Sequence, residues 1–169
     1  SRRLGKNSER PGSHQDILGW ETLSEVTLVD QSPIGRTTRS NPVSYVGALD
    51  SIRKIFSNTP LAVQRGYSPG NFSYNSEKGR CPVCSGSGFE RVEMQFLSDV
   101  YISCPECNGS RYRSDILEVR IFPDDSIPLS IGEVLNLTVD EAVVIFRDTK
   151  KIHEKLKGLL SVGLGYLRL

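Results

Sequence analysis

Four cysteines, arranged as two Cys-x-x-Cys pairs, constrain this chain of 169 residues more than any other feature. They are Cys81, Cys84, Cys104 and Cys107, and the chain has no other cysteine. One Cys-x-x-Cys turn can present both of its sulfurs to one metal ion, and two such turns complete the tetrahedral site that structural zinc prefers. Four protein ligands leave no position for water, so we predict one structural zinc and not a catalytic one.

Two glycines support this interpretation. Gly86 and Gly109 each lie two residues beyond the second cysteine of a pair. Glycine readily adopts the positive φ angle that a tight turn needs, and it lets backbone N–H groups approach the sulfurs. Both histidines, His14 and His153, are distant in the sequence, which favours a site made of cysteine alone.

The segment between the two pairs alternates apolar and polar residues. Val92, Met94 and Phe96 are separated by polar side chains, a turn is expected at 97–99, and the alternation resumes at Val100. This pattern predicts a β-hairpin. Because an isolated two-stranded hairpin is marginal in water, we expect zinc at its base to keep it folded.

Three other interpretations of the cysteines remain open. The sequence Cys-x-x-Cys-x-Gly-x-Gly, complete once here, resembles the repeat of the zinc region of J-protein chaperones, which bind unfolded polypeptide. A thiol–disulfide oxidoreductase also uses Cys-x-x-Cys, usually once and at the start of a helix. An even number of cysteines permits structural disulfides as well, although a cytosolic chain of this size does not need them.

Charge is distributed unevenly along the chain, although its formal net charge is only +1. Residues 31–91 carry eight Lys and Arg against three Asp and Glu, whereas residues 114–148 carry two against eight. This segregation favours one face that accepts an anion. No apolar run approaches the roughly 18 residues of a membrane span, and the start has no signal-peptide pattern. We therefore expect a soluble, cytoplasmic protein.

The remaining patterns predict a small α+β domain of mixed helices and strands that bears the zinc module and its protruding β-hairpin. Apolar residues at helical spacing, together with capping boxes that begin at Ser130 and Thr138, predict four helices. These helices are expected over 43–56, 131–136, 139–147 and 149–161. A strand is predicted at 117–121.

Three stretches together resemble the C-terminal half of the UvrA family, the DNA-damage-recognition ATPases of bacterial nucleotide excision repair. They are VDQSPIGRTTRSNPVSYVGALDSIRKIF, the cysteine region from Arg65 to Tyr112, and SVGLGYLRL at the C-terminus. The resemblance covers residues 26–169 and includes one departure, since Thr38 stands where the family has Pro. Residues 1–20 match no part of the family that we can place.

The resemblance implies a fragment of an ATP-binding-cassette ATPase. The family's phosphate-binding loop would precede this segment and its signature motif would follow it. The fragment alone is then not expected to be an enzyme, although the full-length protein would hydrolyse ATP, with magnesium, as a subunit of an excinuclease. Gln31 matches the Q-loop glutamine, which links the metal and the terminal phosphate of ATP to the neighbouring helical region.

The resemblance also implies partners. UvrA dimers hold duplex DNA in a basic groove and test how it deforms without reading its bases, so phosphate contacts and deformability would carry recognition. The expected partners are damaged double-stranded DNA, a second copy of the protein and the other excinuclease subunits, with no membrane. The candidate phosphate-contacting residues are Arg36, Arg39, Arg53, Lys54, Arg80, Arg91 and Arg111.

These expectations divide the chain into four segments. A flexible N-terminal segment occupies 1–20, and a strand, the Q-loop-like loop and a helical region occupy 21–79. The zinc module with its hairpin occupies 80–112. A strand and a helical region that leads toward the signature motif occupy 113–169.

Overall fold

A computed structural model of the protein describes residues 10, 12–27, 31, 37, 39–123 and 127–169. Contacts between residues divide the chain into two units, 1–33 and 34–169. In the first unit the described residues include one short 3-10 helix, Trp20–Thr22, in which no side chain is buried. Residues 28–30, where the strand expected before Gln31 would end, lie outside the described residues.

The second unit contains seven α-helices and two antiparallel two-stranded sheets among its described residues. The helices are α1 (Pro42–Tyr45), α2 (Leu49–Ser57), α3 (Pro60–Gln64), α4 (Ser114–Leu117), α5 (Ile131–Asn136), α6 (Val139–Ile145) and α7 (Lys150–Ser161). The strands are β1 (Phe89–Val92), β2 (Val100–Ser103), β3 (Arg120–Ile121) and β4 (Leu129–Ser130). This mixture confirms the predicted α+β class. No helix of the described segments is both long and apolar enough to cross a lipid bilayer.

Capping boxes begin two helices where the sequence predicts them. The Ser130 hydroxyl accepts a hydrogen bond from the Glu133 N–H at 3.3 Å, and the Glu133 carboxylate accepts one from the Ser130 N–H at 2.7 Å. Thr138 and Glu141 repeat the arrangement at 3.2 and 2.7 Å. Each box satisfies N–H groups that a helix start leaves without partners, which fixes the first residues of α5 and α6.

The single helix predicted over 43–56 is instead two helices, α1 and α2. They are separated at Gly47, whose φ of 70° lies in the left-handed region. Glycine adopts this conformation at little cost, and it ends a helix. Val43, Ile52 and Phe56, which lie on both sides of the break, are all buried in one core. The helical spacing of apolar residues therefore continues across the break.

The strand predicted at 117–121 is also shorter than expected. Helix α4 ends at Leu117, and only Arg120 and Ile121 pair, as β3, with β4. Ile116 and Val119 are both fully buried. Their spacing of three residues is typical of one face of a helix, which explains why a turn of helix occupies the start of this segment.

The apolar core of the second unit lies between the helices and reaches the cysteine segment. Helix α2 contacts the 3-10 turn Pro69–Phe72, α7 and β3. The rings of Tyr74 and Tyr112 meet edge to face, with their centres 5.9 Å apart. The Tyr112 hydroxyl donates a hydrogen bond to the Phe72 carbonyl at 3.1 Å. These two tyrosines connect the core to the base of the zinc module.

Strands β1 and β2 form the predicted hairpin. Phe89 lies opposite Ser103, and Val92 lies opposite Val100. The first strand is closer to the cysteines than the sequence predicts, because it ends at Val92 and residues 93–99 form the connection. Every residue of the two strands is exposed except the half-buried Phe89, so within the described part of the chain no other element covers the hairpin.

Candidate metal centre and basic surface

The four cysteine sulfurs lie together, as the sequence predicts. The Sγ atoms are all within 4.8 Å of one another, and all four residues are buried. The Sγ atoms of Cys81 and Cys104 are 3.9 Å apart, and those of Cys84 and Cys107 are 3.6 Å apart. Four thiolates at about 2.3 Å from a zinc ion lie about 3.8 Å from each other in a tetrahedron. The donor set therefore fits zinc in both chemistry and spacing.

The backbone of the two cysteine turns shows why glycine is needed. Gly86 has a φ of 85° and Gly109 has a φ of 84°, as predicted. A Cβ atom on Gly86 would lie only 2.0 Å from the carbonyl oxygen of Tyr74, so no other residue fits there. The N–H of Gly88 donates to the Cys84 sulfur at 3.3 Å. The turns thus direct backbone donors toward the sulfurs.

Burial and backbone donors act in opposite directions on the sulfurs. Burial opposes ionisation of Cys84, but the N–H groups of Gly88 and Gly86 outweigh it and lower the pKa of this thiol to about 7. Burial raises the pKa of Cys107 to about 12, and it raises the pKa of Cys81 as well. Metal ligation requires thiolates, so a bound cation would have to supply the stabilisation that burial removes.

Backbone hydrogen bonds join the zinc module (residues 80–112) to the rest of the second unit at its two ends. The N–H of Cys81 donates to the carbonyl of Arg111 at 2.9 Å, and the N–H of Arg113 donates to the carbonyl of Gly79 at 3.1 Å. The two ends of the module are therefore held side by side. The four-sulfur cluster lies directly beyond these two hydrogen bonds.

Two candidate phosphate-contacting residues, Arg39 and Arg111, contact one buried tyrosine, Tyr74. The hydroxyl of Tyr74 donates to the carbonyl of Arg39 at 3.1 Å. The guanidinium of Arg111 lies 5.2 Å from the centre of the Tyr74 ring. Burial raises the pKa of Tyr74, and the nearby charges of Arg111 and Arg53 oppose that rise. The structure thus brings together Arg39 and Arg111, which are widely separated in the sequence, next to the four-sulfur cluster.

Arg39 also contacts the zinc module directly. Its Nη2 atom donates to the carbonyl of Ser85 at 2.8 Å. Ser85 follows Cys84 in the first cysteine turn, so this hydrogen bond fixes the segment before α1 against the metal centre. Arg36, its neighbour in the sequence, lies outside the described residues.

Three further candidates are Lys54, which is exposed, and Arg53 and Arg80, which are half-buried. Arg53 pairs with Asp50 at 2.9 Å, and Arg80 pairs with Glu77 at 3.0 Å. Lys54 is exposed and forms no ion pair within the part of the chain that the structure describes. Surface ion pairs contribute only about 0–1 kcal/mol, so a phosphate could replace the carboxylate at either arginine.

Arg91 differs from the other candidates because acidic residues surround it. Its Nε atom donates to Asp99 at 2.7 Å, and its Nη2 atom lies 3.6 Å from Glu93. The hydrogen bond that Arg91 donates to Asp99 and the charge of that carboxylate raise the pKa of Arg91. Residues 90–106 carry one basic and four acidic side chains. The structure thus separates Arg91 from the arginines that lie around Tyr74.

The remaining predicted positions are Gln31 and the two histidines. Gln31 is exposed and belongs to the first unit. His14 is exposed, with its Nδ1 atom 2.8 Å from the carbonyl of Gly12. His153 is half-buried, with its Nδ1 atom 3.2 Å from the carbonyl of Val143. Neither histidine is part of the four-sulfur cluster.

Tyr74, the centre of the basic cluster, is not predicted from the sequence. Nothing local marks it, because its contacts to Arg39, Arg111 and Tyr112 join residues that are far apart in the chain. The one available signal is Gly86, whose lack of a side chain leaves room for the backbone of Tyr74.

No family model matches the chain. Among curated proteins, the UvrABC system protein A of Clostridium tetani (strain Massachusetts / E88) is 48% identical over 169 residues, which is 100% of this chain and 17% of that protein. The UvrABC system protein A of Methanothermobacter thermautotrophicus is 45% identical over 167 residues, which is 99% of this chain and 17% of that protein.

A solved structure gives the same result. The crystal structure of UvrA2 from Deinococcus radiodurans matches with a TM-score of 0.77 and 50% identity, over 83% of this chain and 17% of that one. The chain spans only 17% of the length of the curated relatives. These similarities confirm the predicted resemblance to UvrA and extend it to residues 1–20, which the sequence motifs alone did not place. They do not support the J-protein and oxidoreductase alternatives.

Proposed function

Because the chain corresponds over its whole length to one segment of UvrA, we propose that it serves nucleotide excision repair as a zinc-containing part that contacts DNA. The intact protein would use ATP and magnesium to recognise damage in duplex DNA. It would act in the cytoplasm as a homodimer with the other excinuclease subunits. The observation that carries the DNA contact is the placement of Arg39 and Arg111 beside Tyr74 and the four-sulfur cluster.

Cys81, Cys84, Cys104 and Cys107 would hold the zinc ion, which supplies a structural cross-link and no open coordination position. The two cysteine turns then hold the carbonyl of Ser85 in position. This carbonyl accepts a hydrogen bond from the guanidinium of Arg39 and so orients that side chain. The metal centre in this proposal acts on DNA binding only by positioning basic side chains.

The proposed DNA contact is to phosphates and not to bases. Arginine and lysine side chains on one surface neutralise backbone charge whatever the sequence, and non-specific contacts of this kind have dissociation constants of roughly 1–100 μM at physiological salt. The proposed set is Arg36, Arg39, Arg53, Lys54, Arg80, Arg91 and Arg111. Within it, Arg91 is expected to contribute least because Asp99 and Glu93 already offset its charge.

We propose that this chain alone does not hydrolyse ATP. Its sequence contains no Gly-x-x-x-x-Gly-Lys-Ser/Thr loop. That loop supplies the backbone N–H groups and the lysine that bind the phosphates of a nucleoside triphosphate, and the hydroxyl that binds its metal ion. Gln31 would contact nucleotide only in the intact protein. Turnover that persists through stringent purification would contradict this part of the proposal.

Fluorescence anisotropy against salt tests the DNA contact. The variant Arg53→Ala/Lys54→Ala removes two neighbouring charges of the proposed surface on α2. Each lost phosphate contact lowers the log–log salt slope by about one, so we expect a flatter slope by up to about two. The control Lys150→Ala/Lys151→Ala removes the same charge from the start of α7 and should leave the slope unchanged.

Two unrelated duplexes should give the same affinities and the same slopes. Equal slopes for the α2 variant and the wild type would exclude this surface as the DNA contact. Equal losses in the α2 and α7 variants would show that overall charge, and not a surface, governs binding. A strong preference for one duplex would overturn the phosphate model.

A further inference from the structure

A small cavity lies beside the last residues of the zinc module. It has a volume of about 170 Å³, and residues 109–111, α5 and residues 168–169 form most of its lining. Among the described residues none of the lining side chains is acidic, and the polar ones are Asn41, Ser110, Arg111, Asn136 and Arg168. One water molecule takes about 30 Å³ of liquid volume, and pockets for drug-sized ligands measure about 300–1,000 Å³. This arginine cavity therefore fits a small polyatomic ion.

The hydroxyl of Ser110 indicates that the arginine cavity takes a ligand. Its Oγ atom is buried and has no hydrogen-bond partner among the described residues. Buried hydroxyl groups are almost always hydrogen-bonded, and each exception calls for a bound water, an ion or a functional role. Because Ser110 lines the cavity, a ligand there would supply the acceptor that this hydroxyl lacks.

Arg111 supplies one positive charge to the cavity. Its guanidinium lies over the ring of Tyr74, 5.2 Å from the ring centre, and an aromatic face holds a guanidinium in place without neutralising it. Its backbone has a φ of 73°, which a residue with a side chain keeps only where the surrounding structure imposes it. Arg111 forms no ion pair within the part of the chain that the structure describes. Its charge is therefore available to an anion.

Arg168 supplies the second positive charge. One of its N–H groups donates to the carbonyl of Asn136, which fixes the guanidinium at the end of α5. A guanidinium has several N–H donors, so others remain for an anion. Hydrogen bonds from Thr138 do most to lower the pKa of Glu141, and the charge of Arg168 adds to this effect. No ion pair joins Glu141 to Arg168 among the described residues, so the charge of Arg168 is only partly offset.

Asn41 adds a neutral donor. Its side-chain oxygen accepts a hydrogen bond from the Ser44 N–H at 3.1 Å, as the N-cap of α1. Because this oxygen is engaged, the side chain offers its NH₂ group to a ligand. The cavity thus combines two guanidinium groups, one hydroxyl and one amide. Such a set of donors matches the tetrahedral oxygens of a phosphate group, and guanidinium groups bind these oxygens in pairs.

We propose that the arginine cavity binds one phosphate-type oxyanion. Both guanidinium groups, the Ser110 hydroxyl and the NH₂ group of Asn41 donate to its oxygens. Either inorganic phosphate or a single phosphate of a DNA strand presents this chemistry. Of the residues that line the cavity, only Arg111 belongs to the proposed DNA-contacting set. The inference rests on the proposed function only where DNA supplies the phosphate, and binding of the free ion is independent of it.

A nuclear magnetic resonance titration of the zinc-loaded chain with inorganic phosphate, at constant ionic strength, tests this proposal. All samples carry a C-terminal amide, because Leu169 also lines the cavity and a free carboxylate there would oppose an anion. The backbone N–H signals of residues 109–111 should shift and saturate with a dissociation constant on the order of 1 mM.

Ser110→Ala is the sharpest variant, because it removes a hydroxyl that has no partner among the described residues of the free chain. It should weaken phosphate binding by about 10-fold, since a hydrogen bond to a charged group is lost, without lowering the thermal midpoint or the zinc content. Arg168→Gln should weaken binding at least as much. The control Arg147→Gln removes the same charge from an exposed arginine outside the cavity, and it should bind phosphate as the wild type does.

Equal phosphate affinities of Ser110→Ala and the wild type, or shifts that do not saturate below about 50 mM, would overturn the proposal. So would equal losses in Arg168→Gln and Arg147→Gln, because overall charge would then account for binding. Fluorescence anisotropy with a duplex identifies the source of the phosphate. Weaker duplex binding by Ser110→Ala means that a DNA phosphate occupies the cavity, whereas unchanged duplex binding means that the free ion does. Failure of the α2 variant in its own DNA test would leave the phosphate titration unaffected.

Discussion

The zinc module and the helical part of the second unit are ordered by different means. In the helical part, apolar side chains from α1 to α7 form one buried core. In the zinc module, the buried cluster between the two turns consists of the four cysteines. A segment of this length cannot bury enough apolar surface to offset its conformational entropy, and a metal site can supply the missing free energy. We therefore expect the zinc module and the helical part to unfold independently of each other.

Removing one metal ligand is expected to have the largest effect, and it tests whether the zinc module unfolds without the helical part. Cys104→Ser should abolish tight zinc binding, which is worth on the order of 10 kcal/mol to a small metal-stabilised module. Hydrogen exchange should show lost protection throughout 80–112 and retained protection in α2 and α7. A uniform loss of protection across both parts would contradict this expectation, because it would mean that the helical core also depends on the metal.

The reciprocal change removes a core side chain and leaves the sulfurs intact. Leu156 is fully buried on α7, and Leu156→Ala should lower the free energy of unfolding of the helical part by about 2–5 kcal/mol. Urea unfolding followed by circular dichroism measures this change, with the exposed Val144→Ala as the control. Zinc content should stay as in the wild type at low urea. Release of zinc in parallel with the loss of helix would show that the two parts are coupled.

Arg39 is one of the side chains that join the two parts, so its removal should have an intermediate effect. Arg39→Ala removes the hydrogen bond to the carbonyl of Ser85, and a hydrogen bond from a charged group contributes about 1.5–3 kcal/mol. We expect zinc to transfer to a coloured chelator roughly ten-fold faster, with little change in the urea midpoint of the helical part. Arg80→Ala, which breaks only a surface pair with Glu77, is the control. Equal transfer rates in the two variants would contradict a specific link through Arg39.

The smallest expected effect is a pH dependence of the free energy of unfolding of the helical part. Hydrogen bonds from the hydroxyl and the N–H of Ser130, together with the charge of Arg120, lower the pKa of Glu133. The folded pKa lies below the unfolded value of about 4.3, so the stabilisation is present above that value and is lost as the pH falls through the folded pKa. Glu133→Gln should cost less than about 1 kcal/mol at pH 7 and nothing at acid pH.

Urea midpoints measured from pH 7 down to about pH 3 test this expectation, with Glu154→Gln on the exposed face of α7 as the control. A difference between Glu133→Gln and the wild type that persists at the lowest pH would mean that the carboxylate charge is not its source. A change in zinc affinity at pH 7 would again contradict the independence of the two parts.

Local interactions account for what the sequence predicts correctly. The cysteine turns and the capping boxes at Ser130 and Thr138 each depend on residues within about four positions, so spacing alone reveals them. The break at Gly47 was missed because the apolar spacing continues across it. The basic cluster is tertiary: Arg39 and Ser85 are 46 residues apart in the sequence, and only the folded chain brings them together.

Only part of the hairpin structure can be predicted from the sequence. Its existence follows from the alternation and from the cysteine pairs at both ends. Its register does not, because both faces of the strands are exposed and no buried face selects one pairing over another. Residues Met94 and Phe96 continue the alternation but lie in the connection between the strands.

Native mass spectrometry of the zinc-loaded chain tests the central claim most directly. We expect one zinc ion per chain in the folded wild type, which acid denaturation releases together with four free thiols. We also expect no bound zinc in Cys104→Ser under the same conditions. A folded wild-type chain that carries no metal, two zinc ions per chain, or a disulfide among Cys81, Cys84, Cys104 and Cys107 would contradict the claim that these sulfurs hold one ion and clamp the hairpin.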